Sequence, residues 1–240
     1  MTPTVPLFLE DAYLRTAPGV VTGITGEGGI VLDRTVFYAR GGGQPGDSGR
    51  LAWDGGEIEI AGTVKGEDGA VVLVPASPDA APSTGQAVEQ RLDWERRHRH
   101  MRMHTLLHLL SVVVPLPVTG GQIGAEKSRL DFDMPEVTTT PEFVQARLTT
   151  LVSEDHPVTT DWVDEARLDA DPGLVKTLRV RPPRGAGRVR LVRIGAGETA
   201  VDLQPCGGTH VASTGEIGRL RVGKFENKGK GNRRISVTLE

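Results

Sequence analysis

From Val20 to Val74, apolar and polar residues come in short runs broken by glycine. VVTGITGEGGIVLD predicts a strand, a Gly-rich turn and a second strand. RLAWDGGEIEIAGTV alternates on both sides of an Asp-Gly-Gly turn, the pattern of a hairpin. GAVVLVP predicts a further strand, and strands at this spacing predict a small β-barrel or sandwich. PASPDAAPSTG, residues 75–85, is rich in Pro, Ala and Ser and is expected to be a connector. A boundary is therefore expected around 86–92, giving domains 1–88 and 89–240.

The period then changes. A helix is predicted from Asp93 to Val114, stopped by Pro115 and Pro117. A strand is predicted at Ser128–Phe132. Thr140-Pro141-Glu142 marks a second helix start, with proline at the first helical position. VTTDWV, RVRLVRIG and TAVDLQ are strand-like, with a short helical or loop region before the second of them. RLRVGKFENKGKGNRRISVTLE predicts two strands around a basic, Gly-rich turn.

The first helix contains RMHTLLHLL, residues 102–110. With His104 at zero and about 100° per residue, His108 falls near 40° and Leu106, Leu109, Leu110 and Val113 fall near 140–240°. The leucines are expected to form the buried face and the histidines to project from the other. His100 extends the series, but about 12 Å of helix separates His100 from His108. One ion cannot take all three, and spacing alone does not choose between the adjacent pairs.

A second segment points at the same chemistry. DLQPCGGTHV, residues 202–211, holds the single cysteine, Cys206, and His210 four residues later. A thiolate and a neutral imidazole are good zinc ligands. Cys206 sits between Pro205 and Gly207-Gly208, a poor place for core packing. Two helical histidines with Cys206 and His210 would make a tetrahedral Cys/His₃ set. The rival is a Cys/His nucleophile pair, which leaves the helical histidines unused. Four protein ligands usually mark a closed, structural site. A catalytic reading then needs a loose ligand, an expanded coordination or an ion that binds substrate.

Charge adds a partner. The net charge is −3, yet residues 1–90 carry 12 acids and 5 bases, while 219–234 carry 7 bases and one acid. A basic rear part suggests a polyanion. One cysteine excludes an internal disulfide and fits a reducing, cytoplasmic setting. No window approaches membrane-spanning length.

HTLLH with CGGTH resembles the editing domain of alanyl-tRNA synthetase and, more closely, the free-standing alanyl-tRNA editing proteins of the medium-length class. FYARGGGQPGDSG (37–49) is similar to that family's glycine motif, GGQIGAEKSRLDFD (120–133) to the stretch after its helical histidines, and FENKGKGNRRI (225–235) to its closing hairpin. The likeness covers about residues 37–240. Threonyl-tRNA synthetase editing domains share the helical pair but usually carry Gly-Pro-His in the second motif, so Gly-Gly-Thr-His favours the alanyl branch.

The resemblance implies an α+β fold: a small barrel-like N-terminal domain followed by a two-layer α/β editing domain. It selects His104 and His108 over His100, beside Cys206 and His210, as ligands of zinc. It implies hydrolysis of the ester in tRNA(Ala) mischarged with serine or glycine, with no ATP requirement. It also implies that Gly41, Gly42, Gly43 and Gln44 face the substrate. Polar candidates near the reaction are Thr105, Gln122 and Thr209. Arg96 and Arg97, ahead of the helical histidines, and Lys224, Lys228, Lys230, Arg233 and Arg234 in the basic hairpin, are candidate phosphate contacts. Arg181, Arg188, Arg190 and Arg193 would extend that surface or merely solvate a strand. The alternatives are a zinc-stabilised tRNA-binding module without catalysis, threonyl-type editing of Ser-tRNA(Thr), and a different zinc hydrolase. HTLLH lacks the glutamate of an HExxH base.

Overall fold

The computed structural model describes residues 3–77, 81–170, 187–197 and 200–240. By its internal contacts the chain divides into two compact units, Met1–Arg99 and His100–Glu240.

The strands of unit 1 are β1 (Val5–Pro6), β2 (Thr16–Ile24), β3 (Ile30–Leu32), β4 (Arg34–Thr35), β5 (Gly49–Trp53), β6 (Gly56–Lys65), β7 (Val71–Pro75) and β8 (Ala87–Leu92). Six of them close a barrel in the order β2-β3-β7-β6-β5-β8. Alternation drives closure. In β2 and β6 every second residue turns inward, and Val21, Ile30, Leu32, Phe37, Leu51, Ile60 and Leu73 fill the interior. The barrel expected from the alternating pattern is present. The connector 75–85 joins two strands of this same barrel. Residues 87–92, where a boundary was expected, form its closing strand, paired with both β2 and β5.

One buried ion pair locks this unit. Arg97 is fully buried, and its guanidinium clasps the Asp47 carboxylate through Nε and Nη2. Arg97 also donates to the carbonyls of Ala12 and Val36. The expectation that Arg97 meets tRNA phosphates is therefore corrected: a guanidinium enclosed by a carboxylate and two carbonyls has no donor face for solvent.

Helix α1 (Trp94–Val113) ends within a residue of its expected limits, and the division between the units falls inside it. Unit 2 then holds β9 (Val118–Gln122), β10 (Lys127–Asp133), α2 (Pro141–Ser153), β11 (Val158–Asp164), α3 (Glu165–Ala170), β12 (Arg188–Ile194), β13 (Asp202–Pro205), β14 (Leu220–Val222), β15 (Glu226–Asn227) and β16 (Asn232–Leu239). One sheet runs β14-β16-β10-β9, with β15 also on β16, and a second runs β11-β12-β13. Helix α2 starts as expected, with Pro141 at its first turn and Thr140 Oγ1 accepting from the Phe143 N–H at 3.2 Å. The basic C-terminal segment forms three strands rather than two, because Glu226–Asn227 adds a short pairing to β16. Among the described residues, no helix is long and apolar enough to cross a membrane.

Candidate metal centre

The helical histidines and the Cys-Gly-Gly-Thr-His loop meet in unit 2. One ligand atom each from His104, His108, Cys206 and His210 lies within 4.8 Å of all the others. Cys206 Sγ is 3.4 Å from His104 Nε2 and 3.4 Å from His210 Nε2. The ring centroids of His104 and His210 are 4.2 Å apart, and those of His108 and His210 4.5 Å apart.

The residues fit zinc. Bonds of about 2.1 Å to nitrogen and 2.3 Å to sulfur at tetrahedral angles put ligand atoms about 3.4–3.6 Å apart. The two sulfur–nitrogen distances match that separation. The donor set, three imidazoles and a thiolate, is one zinc prefers to magnesium or calcium. His100 is buried but does not belong to the group.

Local structure explains the convergence. The i, i+4 spacing stacks His104 and His108 on one side of α1. Leu106, Leu109 and Leu110 are buried as expected, and the side from which His104 and His108 project is enclosed as well. His104 and His108 are as buried as Leu107, because the loop after β13 covers the histidine side. That loop is held by β12: the Cys206 N–H donates to the Arg190 carbonyl, and Arg190 Nη1 donates to the carbonyls of Cys206 and Gly208. The Gly208 N–H points at Cys206 Sγ, 3.4 Å away.

Around these four side chains sits a polar layer. Thr105 Oγ1 lies 3.1 Å from His210 Nδ1 and accepts from the Val211 N–H. His108 Nδ1 lies 3.0 Å from Asp202 Oδ2 and 3.1 Å from Gln204 Nε2. Sequence reasoning missed Asp202 and Gln204. Their signal was the period of two that carries residue 202 through 204 to Cys206.

Without an ion, the surroundings shift the protonation of His108, Cys206 and His210. Burial disfavours the charged form of His108, but the Asp202 carboxylate and then Cys206 outweigh it and raise its pKa to about 9. Burial also opposes the Cys206 thiolate. The positive field of His104 and His210 outweighs this and holds the thiol well below its ordinary range. His210 is pushed well below the usual histidine range by burial and by its two histidine neighbours.

The other candidates fall in varied places. Thr105 and Thr209 are fully buried, and Gln44 nearly so. Gln122 is exposed at the end of β9. Gly41 and Gln44 close a tight bridge, with Gly42 and Gly43 between them at φ of +56° and +84°, a turn glycine adopts at little cost. Lys224, Lys228 and Lys230 are exposed, and Arg96 and Arg233 are half-buried. Arg234 is engaged by Asp131 through two bonds of 2.7 and 2.9 Å, so as a phosphate contact it is corrected: its fork is already filled. Arg190 is buried against the loop and does not extend a basic surface. Arg181 lies outside the described residues.

Comparison with known proteins agrees with this geometry. Residues 189–236 match the family described as threonyl and alanyl tRNA synthetase second additional domain, and residues 19–96 match tRNA synthetases class II (A). The chain is 36% identical to the alanyl-tRNA editing protein AlaX-M of Methanosarcina acetivorans, over 98% of this chain and 99% of that protein. It is 31% identical to AlaX-L of Pyrococcus horikoshii, covering 97% of this chain and 57% of the relative. It is also 35% identical to an alanine–tRNA ligase of Pyrobaculum calidifontis, covering 98% of this chain and 27% of the ligase. An end-to-end match with AlaX-M, over a chain whose two motifs meet at one point in space, places this protein in the alanyl-tRNA editing protein family.

Proposed function

We propose that this protein is a trans-editing hydrolase that deacylates tRNA(Ala) mischarged with serine, and with glycine as a second substrate, at a zinc centre. The observation that carries the reading is the convergence of His104, His108, Cys206 and His210 within 4.8 Å. The names of the relatives support alanyl-tRNA editing. In this reading unit 2 is the two-layer editing domain and the protein works in the cytoplasm.

The reaction adds water across the ester: the bond between carbonyl carbon and ribose oxygen breaks, releasing the amino acid and the tRNA 3′ hydroxyl. Bound zinc would supply a Lewis acid to polarise that carbonyl or to orient the amino and hydroxyl groups beside it. The four ligands hold the ion, and Thr105 Oγ1 supports the ring of His210 from behind. Thr209, between Gly208 and His210, shapes the loop. Gln122, exposed on β9, is the polar group offered to the aminoacyl end.

Selectivity follows from what alanine lacks. An apolar pocket discriminates weakly against an added hydroxyl, whereas a site built to bind that hydroxyl rejects its absence by roughly 10⁴–10⁵. A polar, metal-containing site that binds the hydroxyl therefore favours serine, sparing Ala-tRNA(Ala) and leaving glycine, which also lacks the hydroxyl, as the slower substrate.

The test is deacylation of Ser-, Gly- and Ala-tRNA(Ala) by purified protein, with and without chelator, beside Cys206→Ala. The expected result is release of serine from tRNA(Ala) by the intact protein, of glycine at a lower rate and of alanine not at all, with no release by the chelated or Cys206→Ala protein. Full activity without metal would reject the zinc chemistry. The four-ligand set also suits a closed, structural zinc. Tight tRNA binding with no deacylation at all would establish that second reading, a tRNA-binding accessory module. Cleavage of Ser-tRNA(Thr) in preference to Ser-tRNA(Ala) would move the protein to the threonyl type.

A further inference from the structure

Two of the histidine ligands differ in what stands behind them. His210 Nδ1 faces a neutral hydroxyl, Thr105 Oγ1, at 3.1 Å. His108 Nδ1 faces a carboxylate, Asp202 Oδ2, at 3.0 Å. The Asp202 side chain is fully buried. Taking a carboxylate out of water costs several kcal/mol unless its oxygens are bonded, so a buried aspartate here calls for a role.

Its surroundings form a closed polar chain. Gln204 Nε2 donates to Asp202 Oδ2 at 2.7 Å and lies 3.5 Å from Ser111 Oγ. Ser111 Oγ donates to the backbone carbonyl of His108 at 2.7 Å. The helix and the strand are thus tied at His108 from both its ring and its backbone. Alternation along β13 makes this possible. Asp202 and Gln204 are buried on one face, while Leu203 packs with Val189 and Leu191 on the other. The same period carries on to Cys206, one residue past the strand. One short strand therefore delivers both the thiolate and the group that faces a helical ligand.

We propose that Asp202 is a positioning residue for the metal centre: it accepts the Nδ1–H of His108, fixes the tautomer with Nε2 free to bind the ion, and is itself held by Gln204. The inference rests on the zinc reading above, since the tautomer matters only if Nε2 binds metal. A neutral imidazole carries one proton. Held on Nδ1 by the carboxylate, that proton cannot block Nε2, and the ring cannot turn without breaking the bond. Carboxylate–imidazole–metal arrangements of this kind orient the ligand and raise its basicity.

The test uses the full chain and two readouts independent of deacylation. Zinc affinity is measured by competition with a chelating dye for the natural protein, Asp202→Ala, Asp202→Asn and Gln204→Leu. The His108 tautomer is read in the zinc-loaded natural protein from long-range ¹⁵N–¹H correlations. Nδ1 should carry the proton and Nε2 the metal. Asp202→Ala should weaken zinc binding by about 10–100-fold. Asp202→Asn, which keeps an acceptor without the charge, should fall between, and Gln204→Leu should weaken it less than Asp202→Ala. Unchanged affinity in Asp202→Ala, or zinc on Nδ1 of His108 in the natural protein, overturns the proposal. If Asp202→Ala does not fold, the tautomer and the near-isosteric Asp202→Asn decide it by the same criteria. A natural protein that takes up no stoichiometric zinc removes the metal reading, and this proposal with it. Normal zinc uptake with an indifferent Asp202 removes this proposal alone.

Discussion

Arg190 and Cys206 are joined twice: the Cys206 N–H donates to the Arg190 backbone carbonyl at 3.1 Å, and Arg190 Nη1 donates to the Cys206 carbonyl at 2.9 Å. The same nitrogen reaches the Gly208 carbonyl, also at 2.9 Å. A charged donor from β12 thus spans Gly207 and fixes the loop that carries the thiolate. Such bonds are stronger than neutral ones.

Replacing Arg190 with methionine keeps most of the side-chain bulk and removes the donors. Two carbonyls beside the metal ligand are left without their partner, at a cost of about 1–3 kcal/mol. Urea unfolding in chelator should show that cost, and zinc affinity should fall as well because the loop is no longer held. Stability and affinity equal to the natural protein would deny Arg190 this part.

Zinc binding should release a proton from His108. In the metal-free protein its pKa is raised to about 9, while Cys206 is held well below the ordinary thiol range. Near neutral pH His108 is therefore an imidazolium, and the ion must displace its proton. The sign follows. Protons compete with zinc below a pH of about 9, so affinity rises with pH towards that value and flattens above it. Calorimetry in buffers of different ionisation enthalpy counts the released protons. No release at neutral pH, or affinity that declines on going from neutral to pH 8, would contradict this assignment.

Arg97 makes a sharper contrast between stability and binding. Its guanidinium is bound to Asp47 with both side chains buried. Arg97→Met leaves the Asp47 carboxylate buried without its counter-charge, which costs about 3–5 kcal/mol. Thermal unfolding should come at a clearly lower temperature. The salt dependence of tRNA binding, measured well below that transition, should not move, because the residue presents no charge to solvent. A changed salt slope would return Arg97 to the RNA surface.

What the sequence made legible, and what it hid, has a physical pattern. Local periodicity showed α1, α2 and most barrel strands, because their inward faces are apolar at the right spacing. β8 was hidden: its inward residue Gln90 is polar yet fully buried, bonded to Thr35 Oγ1 at 2.6 Å and to the Arg34 carbonyl at 3.1 Å. Those partners lie 55 and 56 residues away. Arg97 was misread for the same reason, since it sits in a basic run whose meaning depends on an aspartate fifty residues earlier. The four converging side chains, His104, His108, Cys206 and His210, were legible because histidine and cysteine are rare and their spacing is chemical. Asp202 was not, because an aspartate in a strand usually faces water.

The remaining basic residues of the C-terminal hairpin divide by what already holds them. Arg234 is committed to Asp131, whereas Lys224, Lys228 and Lys230 are exposed. Lys228 meets Glu226 at 3.5 Å, but both groups are at least a third exposed, so the pair is too solvated to compete with a phosphate. Replacing the three lysines with alanine should flatten the slope of log affinity against log salt by about one for each phosphate the hairpin no longer neutralises. Bonds to phosphate carry no information about the attached amino acid, so binding of Ser-, Gly- and Ala-tRNA(Ala) should weaken equally. Zinc content should stay unchanged, because the lysines lie outside the ligand group. Filter binding over a salt series reads all three tRNAs. An unaltered slope would mean that this hairpin is merely solvated and that the RNA rests on another face.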